Sequence, residues 1–314
     1  MQSATPCDGW IHRRRIGSVL AAFGAFTVLA FAPSPVAAAG TLDQVRQSGK
    51  LTLGYRTDAA PFSYQDSAKK AVGYTVTLCQ KIVDKMKAEL GLASLNVDWV
   101  PVTLGDRFKD LQQGKVDMLC GADSATLSRM KDVAFSIPIF PGGIGAMLRA
   151  DGDQQLRTIL EDAPPLEHPV WRGAPARTFI SKKTFSVVKG TTAESWLTGR
   201  LKEIEIEAEV VPVSSYEEGI QRVLNQSSDV LFGDRAVLME AAKRSSSETV
   251  VDRLFTYEPI AIGIRRGDED LRLLVDRSLS QLFRSAEMSK LYTTWFGKAS
   301  VVTALFYQLT ALPE

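Results

Sequence analysis

The sequence predicts an α/β protein of two lobes, each a sheet flanked by helices. Three observations carry this. Residues 51–120 alternate short apolar strands with helix-spaced segments in a β-α-β-α-β rhythm. A second copy of the rhythm begins near Phe185. Between the copies, Ile137 to Gly145 holds two prolines and three glycines, a composition suited to a crossing between lobes. Strands that alternate with helices favour a parallel sheet with helices on its faces.

The elements follow in chain order. Residues 51–56 form a strand that ends in a turn at Arg56. Leu78, Ile82, Val83, Met86 and Leu90 share one helical stripe, and Gly91 suits the cap that ends it. Residues 97–102 alternate as a strand, 105–113 form a short helix, and 116–120 form a buried strand. In the second copy, 185–189 is a strand, Gly190-Thr191-Thr192 a turn, and 193–201 a helix. Then come a strand at 208–213, a helix at 216–224, a strand at 229–232 and a helix at 236–243. The chain returns to a strand at 260–265, and helices follow at 270–285 and up to Trp295-Phe296-Gly297. Residues 151–183 are proline-rich around 163–169 and read in part as a surface loop. The tail 301–312 is apolar enough to dock on the body.

The N-terminus sets the compartment. His12 and Arg13 to Arg15 form a basic patch, Ile16 to Ala32 is apolar, and Ala37-Ala38-Ala39 follows two prolines. Basic, apolar and small residues in that order make a secretory leader, here 1–39, rather than a membrane anchor. The apolar run falls short of the roughly 20 residues a span needs. Removing 1–39 leaves 275 residues, a length that suits two lobes: 40–142 plus 261–314, and 143–260. It also leaves 34 basic against 35 acidic side chains. That balance has no basic surplus and excludes nucleic acid as the expected partner.

Two cysteines remain beyond the leader, Cys79 and Cys120. An oxidising compartment permits a disulfide between them; two buried thiols are the other reading. Two cysteines and one further histidine, His168, cannot make a zinc site, and no cofactor motif is present. With so little histidine, nucleophile–base arrangements lack a base. What stands out instead is polar groups at strand-to-helix turns, where open α/β sheets bind ligands. Arg56, the run 121–129 (GADSATLSR), Gly190-Thr191-Thr192 and Gly233-Asp234 offer guanidinium, hydroxyl, helix N-terminal N–H and carboxylate groups. That set suits a zwitterion. Asp234 reads equally as a helix cap.

Seven segments, in order, carry a resemblance: LTLGYRTDAAPFSY, AVGYTVTLCQKIV, LQQGKVDMLCGADSATLSRMKDVAFS, VVKGTTAESWL, DVLFGD, IAIGIRRGDEDL and YTTWFG. The chain resembles the family 3 solute-binding proteins, the polar amino acid receptors of ABC transporters, and within them the glutamate/aspartate-binding branch. The resemblance implies a two-lobed type II binding-protein fold with mixed sheets, two hinge strands and no cofactor. It implies a monomer in the periplasm, an amino acid ligand and a transporter permease as partner. By that likeness Arg129 holds the ligand α-carboxylate with Ser124 and the Thr191-Thr192 turn, and Asp234 takes the α-ammonium. Arg56 and Arg107 stand where the branch meets a side-chain carboxylate. The sequence departs from the branch at Leu104 and Ala122, where it has serines, at Tyr216, where it has a histidine, and at Asp123, where a threonine is usual. A carboxylate at Asp123 would neutralise one arginine and leave room for a different ligand. Two rivals follow from the same fold: a dehydratase with Asp123 as acid/base, and a stand-alone sensor.

Overall fold

Two five-stranded sheets, built from successive parts of the chain, frame a computed structural model that describes residues 40–162 and 175–313. The expected leader, and His168 with its proline-rich surroundings, lie outside the described residues.

The first part opens with helix α1 (Thr41–Ser48), tied by its N-terminal N–H to Asp268. Strand β1 (Lys50–Tyr55) follows. A small antiparallel sheet, β2 (Asp58–Ala59), β3 (Ser63–Gln65) and β4 (Ala71–Val72), comes next and was not expected. Helix α2 (Tyr74–Glu89) buries the expected stripe of Leu78, Ile82, Val83 and Met86. It starts four residues earlier than the stripe predicts. Gly73, at φ 135°, lets the Tyr74 N–H reach the Pro61 carbonyl at 2.8 Å, and a Cβ there would sit 2.3 Å from the Phe62 oxygen. After it come β5 (Asn96–Pro101), α3 (Arg107–Gln112), β6 (Met118–Leu119), a 3-10 turn (Arg129–Lys131) and β7 (Ala134–Phe135).

The second part comprises β8 (Ile144–Arg149), α4 (Gln154–Asp162), α5 (Pro175–Ile180), β9 (Thr184–Val188) and α6 (Thr192–Glu203). It continues with β10 (Glu209–Val213), α7 (Tyr216–Leu224), β11 (Val230–Asp234), α8 (Arg235–Ala242) and β12 (Glu248–Val250). Within 151–183, read in part as a surface loop, Gln154–Asp162 and Pro175–Ile180 are helical. The chain then returns through β13 (Gly263–Ile264) to the first sheet, and α9 (Glu269–Phe283), α10 (Ala286–Phe296) and α11 (Val301–Thr310) close it. Among the described residues no helix is long and apolar enough to cross a membrane.

The rhythm alone predicts parallel sheets; both are mixed. The first has the order β5-β1-β6-β13-β7, and the second β10-β9-β11-β8-β12. In each, three adjacent strands run parallel, and the strand that arrives from the other part, β13 or β8, pairs antiparallel.

Two chain segments cross side by side between the sheets. Ile139 N–H donates to the Ile260 carbonyl at 2.8 Å, Ile260 N–H to Phe140 at 3.0 Å, and Glu258 N–H to Gly142 at 2.8 Å. The glycines of this crossing have a steric cause. A Cβ on Gly143 would lie 1.9 Å from the Thr256 carbonyl oxygen.

The tail does dock. Tyr307 of α11 is buried, and its hydroxyl shares the Ile139 carbonyl with the Tyr74 hydroxyl, which lies 2.9 Å away. Phe62, Phe140, Tyr292 and Phe296 complete this aromatic cluster at the base of the crossing. Cys79 and Cys120 form a disulfide between α2 and the end of β6. On the chain-entropy account, closing a loop of 41-residue separation contributes about 4 kcal/mol.

Candidate functional site

The parallel strands aim their carboxyl ends at the space between the sheets, and the expected polar turns gather there. Arg56 follows β1, Ser124 and Arg129 follow β6, and Arg107 opens α3. From the other side come Thr191 and Thr192 at the start of α6, Tyr216 at the start of α7, and Asp234 at the end of β11. All eight line one cavity of about 460 Å³, part of it open to solvent. Ala122 also lines it, and Asp123 does not: it lies behind the wall, 1% exposed.

Local structure explains each position. The Asp234 carboxylate caps α8, accepting from the Ala236 and Val237 N–H groups at 2.9 and 3.2 Å. Its capping and cavity roles therefore coexist. Burial raises its pKa to about 7, and the negative charge of Glu258 adds to the rise against the two backbone hydrogen bonds. Tyr216 packs over Gly233, where a Cβ would lie 2.6 Å from its ring, and its hydroxyl accepts the Asp234 N–H. Burial holds the Tyr216 hydroxyl well above its ordinary pKa. Thr191 caps α6 and donates to the Val188 carbonyl, so its hydroxyl is engaged within the turn. The Thr192 hydroxyl donates to Glu258 at 2.5 Å rather than standing free.

The three arginines differ in their partners. Arg107 Nε donates to Asp123 Oδ1 at 2.5 Å, both side chains being almost fully buried, and its Nη1 donates to the Leu104 carbonyl. Arg56 directs Nε and Nη2 at Asp58 Oδ1, at 2.8 and 2.5 Å. Arg129 donates to the Ser124 carbonyl at 2.9 Å and, among the described residues, has no carboxylate within ion-pair distance. Burial, and then the like charge of Arg107, lower its pKa to about 10. An anion arriving at Arg129 would therefore relieve an uncompensated charge.

Glu258 was missed by sequence reasoning. It lies on the return crossing, in the YEP that precedes the strand of 260–265, and accepts from Thr192 and Thr256. An isolated acid beside the returning strand was the available signal. Asp58 was missed because its pairing with Arg56 depends on the unexpected small sheet. Leu104 lines the wall too, as do Gly143, Ile144, Ala59 and Ala193, which carried no chemical signal. Asp234 and Glu258, like Arg129, lack an oppositely charged partner among the described residues. An unpaired guanidinium and two carboxylates line the same pocket, a set that complements a carboxylate and an ammonium on one molecule. Among the described residues there is no cluster of metal-ligating side chains.

Comparison with known proteins fits this class. Residues 51–298 match the bacterial extracellular solute-binding proteins, family 3, and the chain belongs to that family. It is 26% identical over 263 residues to the glutamate/aspartate import solute-binding protein of Escherichia coli, covering 83% of this chain and 80% of that one. It is 27% identical to the L-glutamate/L-aspartate-binding protein of Pseudomonas aeruginosa, covering 86% and 85%. Among solved structures, an ancestral amino acid-binding protein described as a precursor of cyclohexadienyl dehydratase matches with TM-score 0.67 and 26% identity, over 82% of this chain and all of that one. The cysteine-binding protein of Campylobacter jejuni shares the fold at TM-score 0.68, over 85% and 98%. The architecture is thus the type II binding-protein fold.

Proposed function

We propose that this protein is the periplasmic substrate-binding component of an amino acid ABC importer and closes on a polar α-amino acid. The observation that carries the reading is the head-group clamp: Arg129 without a counter-ion on one sheet, and Asp234 without one on the other. A ligand spanning them touches both lobes, 40–142 plus 261–314 and 143–260, only when they are closed. It therefore shifts an open–closed equilibrium about the paired crossing. The leader of 1–39 would deliver the chain to the periplasm, and the closed form would be the one a permease recognises.

Within that class, the names of the curated relatives support glutamate or aspartate, and so does the presence of Arg56 and Arg107 at the wall. The ion pairs those arginines make with Asp58 and Asp123 draw the other way. Asp123 also bears on the dehydratase reading. With one oxygen on Arg107 and no surface in the cavity, it is poorly placed as an acid/base, which supports binding over turnover.

The test is a thermal-shift screen of the twenty common amino acids and simple dicarboxylates. A ligand at about a hundred times its Kd stabilises the folded state by about 2.7 kcal/mol. For a chain of this size that is a rise in Tm of roughly 5–10 °C. No shift with any α-amino acid would remove the proposal.

A further inference from the structure

We infer that Asp58 and Asp123 are built-in counter-anions that select against acidic side chains, so that the ligand is an α-amino acid with an uncharged, oxygen-bearing side chain. This deepens the amino-acid-binding reading and rests on it.

Arg56, Arg107, Leu104, Ala59 and Ala122 line the cavity, and on the reading above they form the end that meets the ligand side chain. A free dicarboxylate binder would leave both guanidiniums awaiting the ligand. Here each is already neutralised. Arg107 holds a buried carboxylate of its own, with side chains 3% and 2% exposed, and Arg56 holds Asp58 through two of its nitrogens. A carboxylate brought there would find its attraction to each guanidinium opposed by an aspartate a few ångströms behind it. It would lose its hydration with no net charge to receive it.

The remaining charges agree. Of the three guanidiniums in the wall, Arg129 is the one without a carboxylate partner among the described residues. A zwitterionic head uses it, and a second ligand carboxylate finds no unpaired guanidinium left. A cationic side chain gains nothing at the other end, where Arg56 and Arg107 present N–H donors and Asp123 is turned away: its unpartnered Oδ2 packs behind Gly121, not into the cavity. What the paired arginines still offer is N–H groups not engaged by their aspartates. These suit a neutral acceptor, such as an amide or hydroxyl oxygen, among the apolar Leu104, Ala59 and Ala122.

The experiment is titration calorimetry of the full mature protein with glutamine, asparagine, serine, threonine, glutamate, aspartate, lysine and arginine, repeated on Asp123→Thr and Asp58→Ser. The native protein is expected to bind its best neutral ligand at least about tenfold more tightly than glutamate or aspartate. Either substitution frees one arginine and is expected to raise glutamate or aspartate affinity at least about tenfold. Asp58 is at the rim, with about a third of its side chain exposed, so its variant tests the idea even where Asp123→Thr fails to fold. Equal or tighter binding of an acidic or basic amino acid by the native protein overturns this inference while leaving amino acid binding intact. Unchanged acid affinity in a folded variant overturns it too. Binding of no amino acid at all overturns both.

Discussion

Arg129→Ala is expected to remove most of the amino acid affinity while leaving the ligand-free protein as stable as before. Removing one member of a buried, hydrogen-bonded charge pair costs about 2–5 kcal/mol, or roughly thirtyfold to several thousandfold in affinity. The free protein is spared for a reason visible in the structure. Arg129 is desolvated and repelled by Arg107, and its guanidinium has the Ser124 carbonyl and the Phe108 ring face, 5.4 Å away, but no carboxylate at ion-pair distance, so its charge is a net cost until an anion arrives. Loss of affinity for every ligand, acidic or neutral alike, marks a head-group contact. Arg129→Lys should recover little, because an ammonium cannot grip a carboxylate bidentately. Calorimetry reads the affinity, and thermal unfolding without ligand reads the stability. A variant that still binds within threefold of the native protein, or that melts well below it, would assign Arg129 a structural role.

The second large effect belongs to Asp234. Its carboxylate titrates near 7 in the ligand-free protein because burial disfavours the charge. The ligand ammonium needs the ionised form, so affinity is expected to fall as pH drops through about 7, by up to about tenfold per pH unit. The stability of the free protein runs the opposite way. A carboxyl whose folded pKa is raised from 3.8 to about 7 contributes stability that is complete below the lower value and lost as pH rises through the higher one. Ligand restores that loss, so the ligand-induced rise in Tm should be larger near pH 8 than near pH 5.5. Asp234→Asn keeps an oxygen for the α8 cap and removes the charge. It should weaken binding by about 1.5–3 kcal/mol, roughly ten- to a hundredfold, and flatten the pH profile. A variant that keeps the native profile would place the titrating group elsewhere, with Glu258 as the next candidate.

Much of the fold and of the site is legible in the amino-acid sequence. The apolar stripe of α2, the two α/β copies and the Pro/Gly crossing report burial and backbone geometry that are local in sequence. The site residues are legible because strand-to-helix turns in open sheets converge, so Arg129, Thr192 and Asp234 are expected together despite their separation in sequence. What escapes depends on contacts between distant segments. The start of α2 is set by the Pro61 and Phe62 carbonyls, which no helical periodicity encodes. Strand β8 arrives antiparallel because the chain reaches the second sheet through the crossing, which a rhythm of elements does not show. Cys79 and Cys120 permit two readings, and only their proximity in the fold makes them a pair. Glu258 looks like one acid among many until the return crossing brings it to Thr192. The partnering of Arg56 is the least legible feature, since a guanidinium and a carboxylate two residues apart pair only where the turn between them allows it.

The proposed bridging of the two sheets by the α-amino acid head of one molecule is tested most directly by a crystal structure of the mature protein with its tightest amino acid. The expected result places the ligand α-carboxylate on Arg129 and its α-ammonium on Asp234, with the side chain toward Arg56 and Arg107. A ligand bound with its head on Arg56 or Arg107, or held by one sheet alone while Arg129 stays unpaired, would contradict it.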